Sequence, residues 1–396
     1  MSVAKHFADR TAAAPEVFSA RVLSGMSDPF LEVAEAAGAN VFQSRPFLEQ
    51  FERHMLAGSR KLVLVGVTDA AGKPIAVFPF VRLKKFGVTR LEAVDFDVTD
   101  YFAPAYFRDA ALSADDTAKL WRTVARSVPG VHAIAFKKLP RQLHHKPHAL
   151  SGADFLKPMA ASATTLYLRD ASGKPTQNMN PAALARKLKK SAKVLQKHGP
   201  LTFTEATSKQ DTDELLEALL AFRTARFQEL GRQDALLDPN VVAFYRALAC
   251  KEGKASVGRV FALRSADEIV AVTYGYAYRK TFTLIAPAIT PKKEYQPGSP
   301  GLVAMFKTLE WCQQHDFDVF DLSVGSLSYK SRFEAETVEL YEYQQALSPL
   351  GLIVVAEAAL RRRIRRLALK YPELRSTLEK LRRMRWGWAG DKPADA

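Results

Sequence analysis

Cysteine is nearly absent: Cys250 and Cys312 are the only two among 396 residues. Two thiols cannot build a disulfide framework or a cysteine-rich zinc site, and so low a content suits a reducing compartment. Long hydrophobic runs are missing as well. The longest nearly uncharged apolar stretch near the C-terminus runs from Leu347 to Ala356, far short of the ~20 residues that a spanning helix requires. At the N-terminus Lys5, His6, Asp9 and Arg10 interrupt any apolar core of a secretory signal. These absences predict a cytoplasmic protein without a transmembrane segment. What is present is ordinary for a packed body: 47% hydrophobic, 10% aromatic and 25% charged residues, a balance that excludes a mainly disordered, collagen-like or coiled-coil chain. The length is enough for two domains, each with its own core.

The formal net charge is +15, and most of it lies in two places. Between Pro181 and Gly199, Arg186, Lys187, Lys189, Lys190, Lys193 and Lys197 occur without an acid. From Gly351 to Ala396, twelve Lys or Arg face Glu357, Glu373, Glu379, Asp391 and Asp395. A nucleic-acid coat spreads charge over a broad face, beside aromatics or a helix-turn-helix pattern. Neither accompanies these clusters, so no specific nucleic-acid partner is expected. Two readings stay open for them: an anion-binding wall with a surface-binding tail, or merely solvated helix faces.

The first half reads as mixed α/β. Phe42, Phe47, Leu48, Phe51 and Met55 recur at helical spacing after Ser44-Arg45-Pro46. Strands at Lys61–Val67 and Ile75–Arg82, split by Asp69-Ala70-Ala71-Gly72-Lys73-Pro74, predict a hairpin. A helix near Asp115–Val128 and a strand at Ala133–Lys138 follow. Arg141–Leu156 then reads as a linker. Its His144, His145 and His148 are candidate metal ligands, but no cysteine or carboxylate is spaced to complete a shell, and no metal is expected. The second half opens with a strand at Thr164–Leu168 and a basic helix started by Asn180-Pro181 and ended by Gly199-Pro200. A short strand at Leu201–Glu205, two helices and an antiparallel meander follow, the meander strands being Arg259–Arg264, Ile269–Tyr278 and Thr281–Ala286. A Pro-Gly-rich loop, a helix from Gly301 to about His315 and a strand at Phe317–Leu322 complete the set. This order is not that of a Rossmann fold, because the meander is antiparallel and no Gly-x-Gly-x-x-Gly follows a strand.

Two stretches carry candidate chemistry. Tyr295-Gln296-Pro297-Gly298-Ser299-Pro300-Gly301-Leu302 joins a strand to a helix, so its amides sit at a helix N-terminus, where unpaired N–H groups and the helix dipole favour an anion. The plainer reading is a turn and a helix start. Directly after the last strand come Asp321, Tyr329 and Lys330, a carboxylate, a phenol and an ammonium beyond a strand end. A phenol can return a proton to a leaving group, and an ammonium can stabilise charge on a carbonyl oxygen. Alternatively, Asp321 caps the loop while Tyr329 and Phe333 are core aromatics.

The meander, Ser299-Pro300-Gly301 opening a helix, and the strand leading to Asp321, Gly325 and Tyr329-Lys330 resemble the C-terminal domain of the CelD-type (cellulose-biosynthesis) branch of GNAT acyltransferases, akin to the FemAB ligases. Phe42-Gln43 with Phe47-Leu48 resembles that family's opening helix, and Asp97-Val98-Thr99-Asp100-Tyr101-Phe102-Ala103-Pro104 its D-x-x-D-Y-x-x-P strand end. The helix bearing Arg186 and Lys187 resembles the one before its second core. The resemblance spans Val41 to Phe333. It implies an α/β fold of two tandem GNAT-like domains, 1–158 and 159–348, each a mixed, largely antiparallel sheet flanked by helices, followed by a basic helical tail, 349–396. It further implies an N-acyltransferase that moves an acyl group, in particular acetyl, from acyl-CoA to an amine of an amino sugar, amino acid or polysaccharide precursor. By resemblance Gly298, Ser299, Gly301 and Leu302 hold the donor's phosphates, and Ala286 and Ile289 face its thioester arm. Asp97, Asp100, Tyr101, Arg186 and Lys187 contact the substrate. Tyr329 acts as general acid, Lys330 as charge stabiliser and Asp321 as base. The usual GNAT loop Q/R-x-x-G-x-G/A is replaced here by Gln296-Pro297-Gly298-Ser299-Pro300-Gly301. The related ligases use aminoacyl-tRNA, which leaves that donor as the alternative, and a non-catalytic scaffold for polysaccharide machinery as a third reading.

In the tail, Leu360, Ile364, Leu367, Tyr371, Leu374, Leu378 and Leu381 recur every three or four residues on either side of Pro372, with Arg361, Arg362, Arg363, Arg365, Arg366, Arg382, Arg383, Arg385, Trp386 and Trp388 around them. Such a seam packs on the body, or meets an anionic membrane surface from the cytoplasmic side.

Overall fold

The computed structural model describes residues 17–36, 40–85, 87–170, 172–176, 182–229, 234–250, 256–325 and 335–370. The first half contains β1 (Phe18–Val22), α1 (Phe30–Ala36), α2 (Arg45–Met55), β2 (Lys61–Asp69), β3 (Pro74–Lys85), β4 (Val88–Ala93), β5 (Ala105–Tyr106), α3 (Ala114–Arg126) and β6 (Ala133–Pro140). The second contains β7 (Lys157–Tyr167), α4 (Ala182–Leu195), β8 (Leu201–Glu205), α5 (Lys209–Glu229), α6 (Pro239–Ala249), β9 (Gly258–Ser265), β10 (Glu268–Tyr278), β11 (Thr281–Ile289), α7 (Pro300–Gln314) and β12 (Val319–Val324). β13 (Glu336–Ala346) and α8 (Pro349–Lys370) end the described chain.

Local chemistry accounts for the elements that the sequence predicts. The β2–β3 turn closes because Asp69 Oδ1 accepts the amides of Ala71 and Lys73 at 3.0 and 2.9 Å, while Gly72 takes φ 77°, which L side chains avoid. α3 starts at Ser113, whose hydroxyl accepts the Asp116 amide at 3.1 Å, and it buries Leu120, Trp121 and Val124 at helical spacing.

The strands form one 13-stranded sheet in the order β1-β2-β3-β4-β6-β13-β7-β12-β11-β10-β9-β8, with β5 attached to β3. Every neighbouring pair is antiparallel except β4/β6 and β11/β12. Each half is therefore a mixed, largely antiparallel sheet flanked by helices, as expected, but the two sheets are continuous. The joint is β13, paired with β6 on one side and β7 on the other. The sequence hides this strand because Glu336, Glu339, Glu342, Gln344 and Gln345 break the apolar alternation that marks a strand with one buried face. Most of its residues are half-buried, so polar side chains are tolerated.

Three cores hold the sheet. One lies around α3, with Phe78, Phe80, Trp121 and Phe136. Another lies under α4 and α7, with Leu188, Leu195, Phe282, Leu309 and Phe320. The third joins the halves: α2 packs on α6, and Phe47 meets Phe244 and Tyr276 at ring distances of 5.1 and 5.8 Å.

Arg141–Leu156 is not the linker that its three histidines and Pro147 suggest. Ala149, Leu150 and Ala153 are fully buried, and His148 is the polar hub that lets the segment pack. Its Nε2 donates to the Pro140 carbonyl at 2.6 Å and its Nδ1 accepts the Leu150 amide at 3.2 Å. Burial pushes this imidazole from 6.5 down to about 4. The unfolded chain binds the proton first, so the neutral ring's stabilisation is complete above pH ~6.5 and is lost as pH falls toward ~4. From pH 7 to pH 5 this group should cost about 2 kcal/mol. Urea unfolding at the two pH values should show that loss in the wild type and a smaller one in His148→Gln. Equal losses in both would remove His148 as the cause.

Candidate active site

The two parallel strand pairs separate beyond a short register. β11 and β12 are paired only over Thr281–Thr283 and Val319–Asp321; from there β11 follows β10 and β12 runs beside β7. The separation opens a wedge at Thr283 and Asp321. In the first half, β4 and β6 are likewise paired over Arg90–Glu92 and Ala133–Ala135, but the chain fills the space beyond them with its own next loop. The Phe102 amide donates to the Lys138 carbonyl at 3.0 Å, and its ring sits against Phe80 and Phe136. Lys138 Nζ holds the loop by donating to Asp95 Oδ1 at 2.9 Å and the Thr99 carbonyl at 2.5 Å. Against the opposing pull of burial, the ammonium groups of Lys138 and Lys137 keep the Asp95 carboxyl below its usual range.

With Phe102 fixed inward, its neighbour Tyr101 reaches the other half. Its hydroxyl donates to Asp321 Oδ1 at 2.9 Å. Burial, and then the Asp321 charge, push this phenol well above its ordinary value, so it remains a donor. Alternation along β12 sends Phe320 and Leu322 into the core under α7 and turns Asp321 to the opposite face. The Asp321 carboxylate is fully buried. The Ser323 amide donates to its Oδ1 at 2.6 Å, and His144 Nε2 lies 2.9 Å from Oδ2. A carboxylate only accepts, so Nε2 is the donor in this contact, and in the neutral ring Nδ1 carries the lone pair; no partner for Nδ1 occurs among the described residues. His144 and His145 both take positive φ, 51° and 61°, a conformation that costs energy in non-glycine residues and clusters at functional sites.

His144 and Tyr101 line a cleft of about 1160 Å³ to which both halves contribute, including Phe42, Tyr106, Tyr167, Tyr278 and Thr283. Arg108, Lys146, Arg169, Arg279 and Lys280 also line it. Arg169 and Lys280 are paired with Asp316, whereas Lys146 and Arg279 have no acidic partner among the described residues.

The residues expected from sequence are distributed unevenly over this geometry. Asp321, Tyr101 and Asp100 come together, the half-buried Asp100 accepting a hydrogen bond from Ser323 Oγ; burial, opposed by Lys138, holds the Asp100 pKa up. Asp97 is exposed near Lys137 at 3.8 Å. Arg186 and Lys187 are exposed on α4, away from the cleft lining. Gly298 packs on Leu195, whose Cδ2 lies 2.5 Å from where a Cβ would be, and a Cβ on Gly301 would meet Ile289 at 2.9 Å. Ser299 is left-handed at φ 47°, and its carbonyl accepts the Leu302 and Val303 amides at 3.0 and 3.2 Å, so the helix start is partly satisfied from within. Ala286 is buried in the shared core and Ile289 lies at the edge of the core under α7. Tyr329 and Lys330 fall outside the described residues. His144 was visible in the sequence only as a candidate metal ligand. In the structure the three histidines separate: His144 goes to Asp321, His148 to Pro140, and His145 stacks on Tyr167 at 4.2 Å.

Residues 182–331 match the family described as acetyltransferase (GNAT) domain. No curated protein matches the chain in sequence. Among solved structures, FemX is 9% identical with a TM-score of 0.53, covering 79% of this chain and 94% of its own. L-PGS from Bacillus licheniformis is 14% identical with a TM-score of 0.47, over 83% of this chain and 95% of its own. A tandem GNAT protein from the clavulanic acid biosynthesis pathway is 12% identical with a TM-score of 0.43, over 84% and 99%. Over residues 182–331 the chain thus matches the acetyltransferase (GNAT) domain family, within a fold shared with FemX.

Proposed function

We propose that this protein is an acyl-CoA-dependent N-acyltransferase. The observation that carries the reading is the buried Asp321 at the mouth of the β11/β12 wedge, holding His144 so that its basic nitrogen serves the cleft. The GNAT family match over 182–331 supports acyl transfer by the second half. On this reading residues 159–348 take the donor, whose thioester arm enters the wedge along β11 past Ala286 and Ile289, with its phosphates toward Gly298, Ser299, Gly301 and Leu302. The first half, 1–158, has its own wedge closed and serves the reaction through Tyr101 and His144.

An amine attacks only when neutral. The acceptor's nitrogen adds to the thioester carbonyl, His144 Nδ1 takes the proton it sheds, and the collapsing intermediate expels the CoA thiolate, which recovers a proton from the acid that serves it. Tyr329 and Lys330 remain our candidates for that acid and for the oxyanion's partner. Asp321 fixes the His144 tautomer and balances the imidazolium that forms, and Tyr101 and the Ser323 amide hold the carboxylate in place. The acceptor is an amino sugar, amino acid or polysaccharide precursor. Lys146 and Arg279 at the rim favour one that carries negative charge.

The test is thiol release from acetyl-CoA over a panel of primary amines, with product mass as the readout. The expected result is release that depends on both the acceptor and the enzyme. Transfer from aminoacyl-tRNA, with none from any acyl-CoA, would replace this reading with that of a ligase, for which the FemX-like fold is the supporting observation.

A further inference from the structure

α8 presents apolar residues on the side turned away from the protein. Its first turn faces inward at Gly351, which is so close to the body that a Cβ there would lie 1.8 Å from the His132 carbonyl oxygen. Ile353, Leu360 and Ile364 follow at positions about 180–220° around the helix from Gly351, counting 3.6 residues per turn. They are 62%, 58% and 40% exposed. They share this face with the exposed Glu357, at about 240° by the same count, and aliphatic side chains of this size are not usually left together in water unless something covers them. Of the seam expected to pack on the body, Leu360 and Ile364 therefore do not do so.

The charge of the helix says what kind of surface covers them. Between Pro349 and Lys370 the one acid is Glu357, against Arg361, Arg362, Arg363, Arg365, Arg366 and Lys370. Arg361 and Arg363 fall within roughly 80° of the centre of the stripe, along its flanks, and Arg365 lies roughly 120° from it. A protein groove able to receive this helix would have to match five arginines in six residues. A bilayer with anionic headgroups matches them without specific pairing, because arginine stems lie along the apolar boundary while the guanidinium groups stay at headgroup level. No helix among the described residues is long and apolar enough to cross a membrane, so the contact is one of lying on the surface. We infer that α8 is an interfacial helix that docks this protein on an anionic lipid surface, with Ile353, Leu360 and Ile364 inserted at the headgroup boundary. The inference is independent of the chemistry in the cleft.

The experiment is co-sedimentation of the full chain with vesicles of phosphatidylcholine alone or mixed with phosphatidylglycerol, at about 0.15 M salt. The expected result is binding to the mixed vesicles only. Both Leu360→Asp/Ile364→Asp and Arg361→Gln/Arg363→Gln/Arg365→Gln should reduce the bound fraction by about tenfold or more, while thiol release in solution and the circular dichroism spectrum stay unchanged. Wild-type protein left in the supernatant with phosphatidylglycerol vesicles would overturn the inference, as would equal binding to phosphatidylcholine alone. So would a dimer, seen by light scattering, that the Leu360→Asp/Ile364→Asp chain no longer forms, since the stripe would then belong to a second copy. Should the aspartate variant fail to fold, the glutamine variant decides alone: binding equal to that of the wild type overturns the inference.

Discussion

Replacing His144 with glutamine is expected to lower turnover by about 100-fold or more, the usual contribution of a positioned general base, while leaving KM for the acyl donor within a few-fold. Glutamine keeps an N–H for Asp321 but has no basic lone pair to take the amine's proton. The loss should therefore appear in kcat, with folding intact. Asp321→Asn should act in the same direction for a different reason. An amide at 321 offers its NH₂ where His144 Nε2 now donates, which disfavours the tautomer that leaves Nδ1 free. It also removes the charge that balances the imidazolium. Tyr101→Phe keeps the ring packing and removes one donor from Oδ1 of Asp321, so a smaller loss is expected, because the Ser323 amide still anchors that oxygen. Steady-state kinetics with acetyl-CoA and an accepted amine separate these cases. Turnover of His144→Gln within a few-fold of wild type would show that the proton leaves by another route, and the Asp321–His144 pair would become a structural contact between the two halves.

Phe47→Ala should have the largest effect on stability. The ring is fully buried and meets Phe42, Phe51, Phe244 and Tyr276 at ring distances of 5.5, 6.4, 5.1 and 5.8 Å. Removing it deletes apolar surface and leaves a cavity walled by residues of α2, α6 and β10, elements that cannot collapse without dragging the two halves together. Truncations of this kind cost about 3–5 kcal/mol. Because Phe47 lies on the first half and Phe244 and Tyr276 on the second, the variant should also change how the halves unfold. A single denaturant transition in the wild type should move to lower denaturant and broaden or split in Phe47→Ala. A midpoint unchanged within error would mean that the halves are held together mainly by β13, whose backbone pairing with β6 and β7 the mutation does not touch.

Much of the architecture was legible in the chain because it is written in short-range chemistry. The β2–β3 hairpin follows from Asp69 and Gly72, α2 and α3 from apolar residues at helical spacing, and the β9–β10–β11 meander from β-branched and aromatic runs broken by short turns. Each of these depends on residues within a few positions of one another, where periodicity and turn preference act. Asp321 was also visible, as a polar residue at the end of a strand, and Asp100 and Tyr101 through their motif's resemblance to the family, although the structure places them in the loop between β4 and β5.

Tertiary structure decided what depends on residues far apart. β13 has its apolar residues interrupted by Glu and Gln, and only its place between β6 and β7 makes it a strand and the two sheets one. Arg141–Leu156 has the composition of a loop and becomes packed structure because His148 satisfies buried backbone groups that water would otherwise serve. His144 and Asp321 are 177 positions apart, and no local pattern links an imidazole in one half to a buried carboxylate in the other. The same holds for the two wedges: both halves separate their parallel strands, yet the first is filled by its own Phe102 loop. That filling depends on how Lys138 and Asp95 meet, a contact between segments rather than a property of either one.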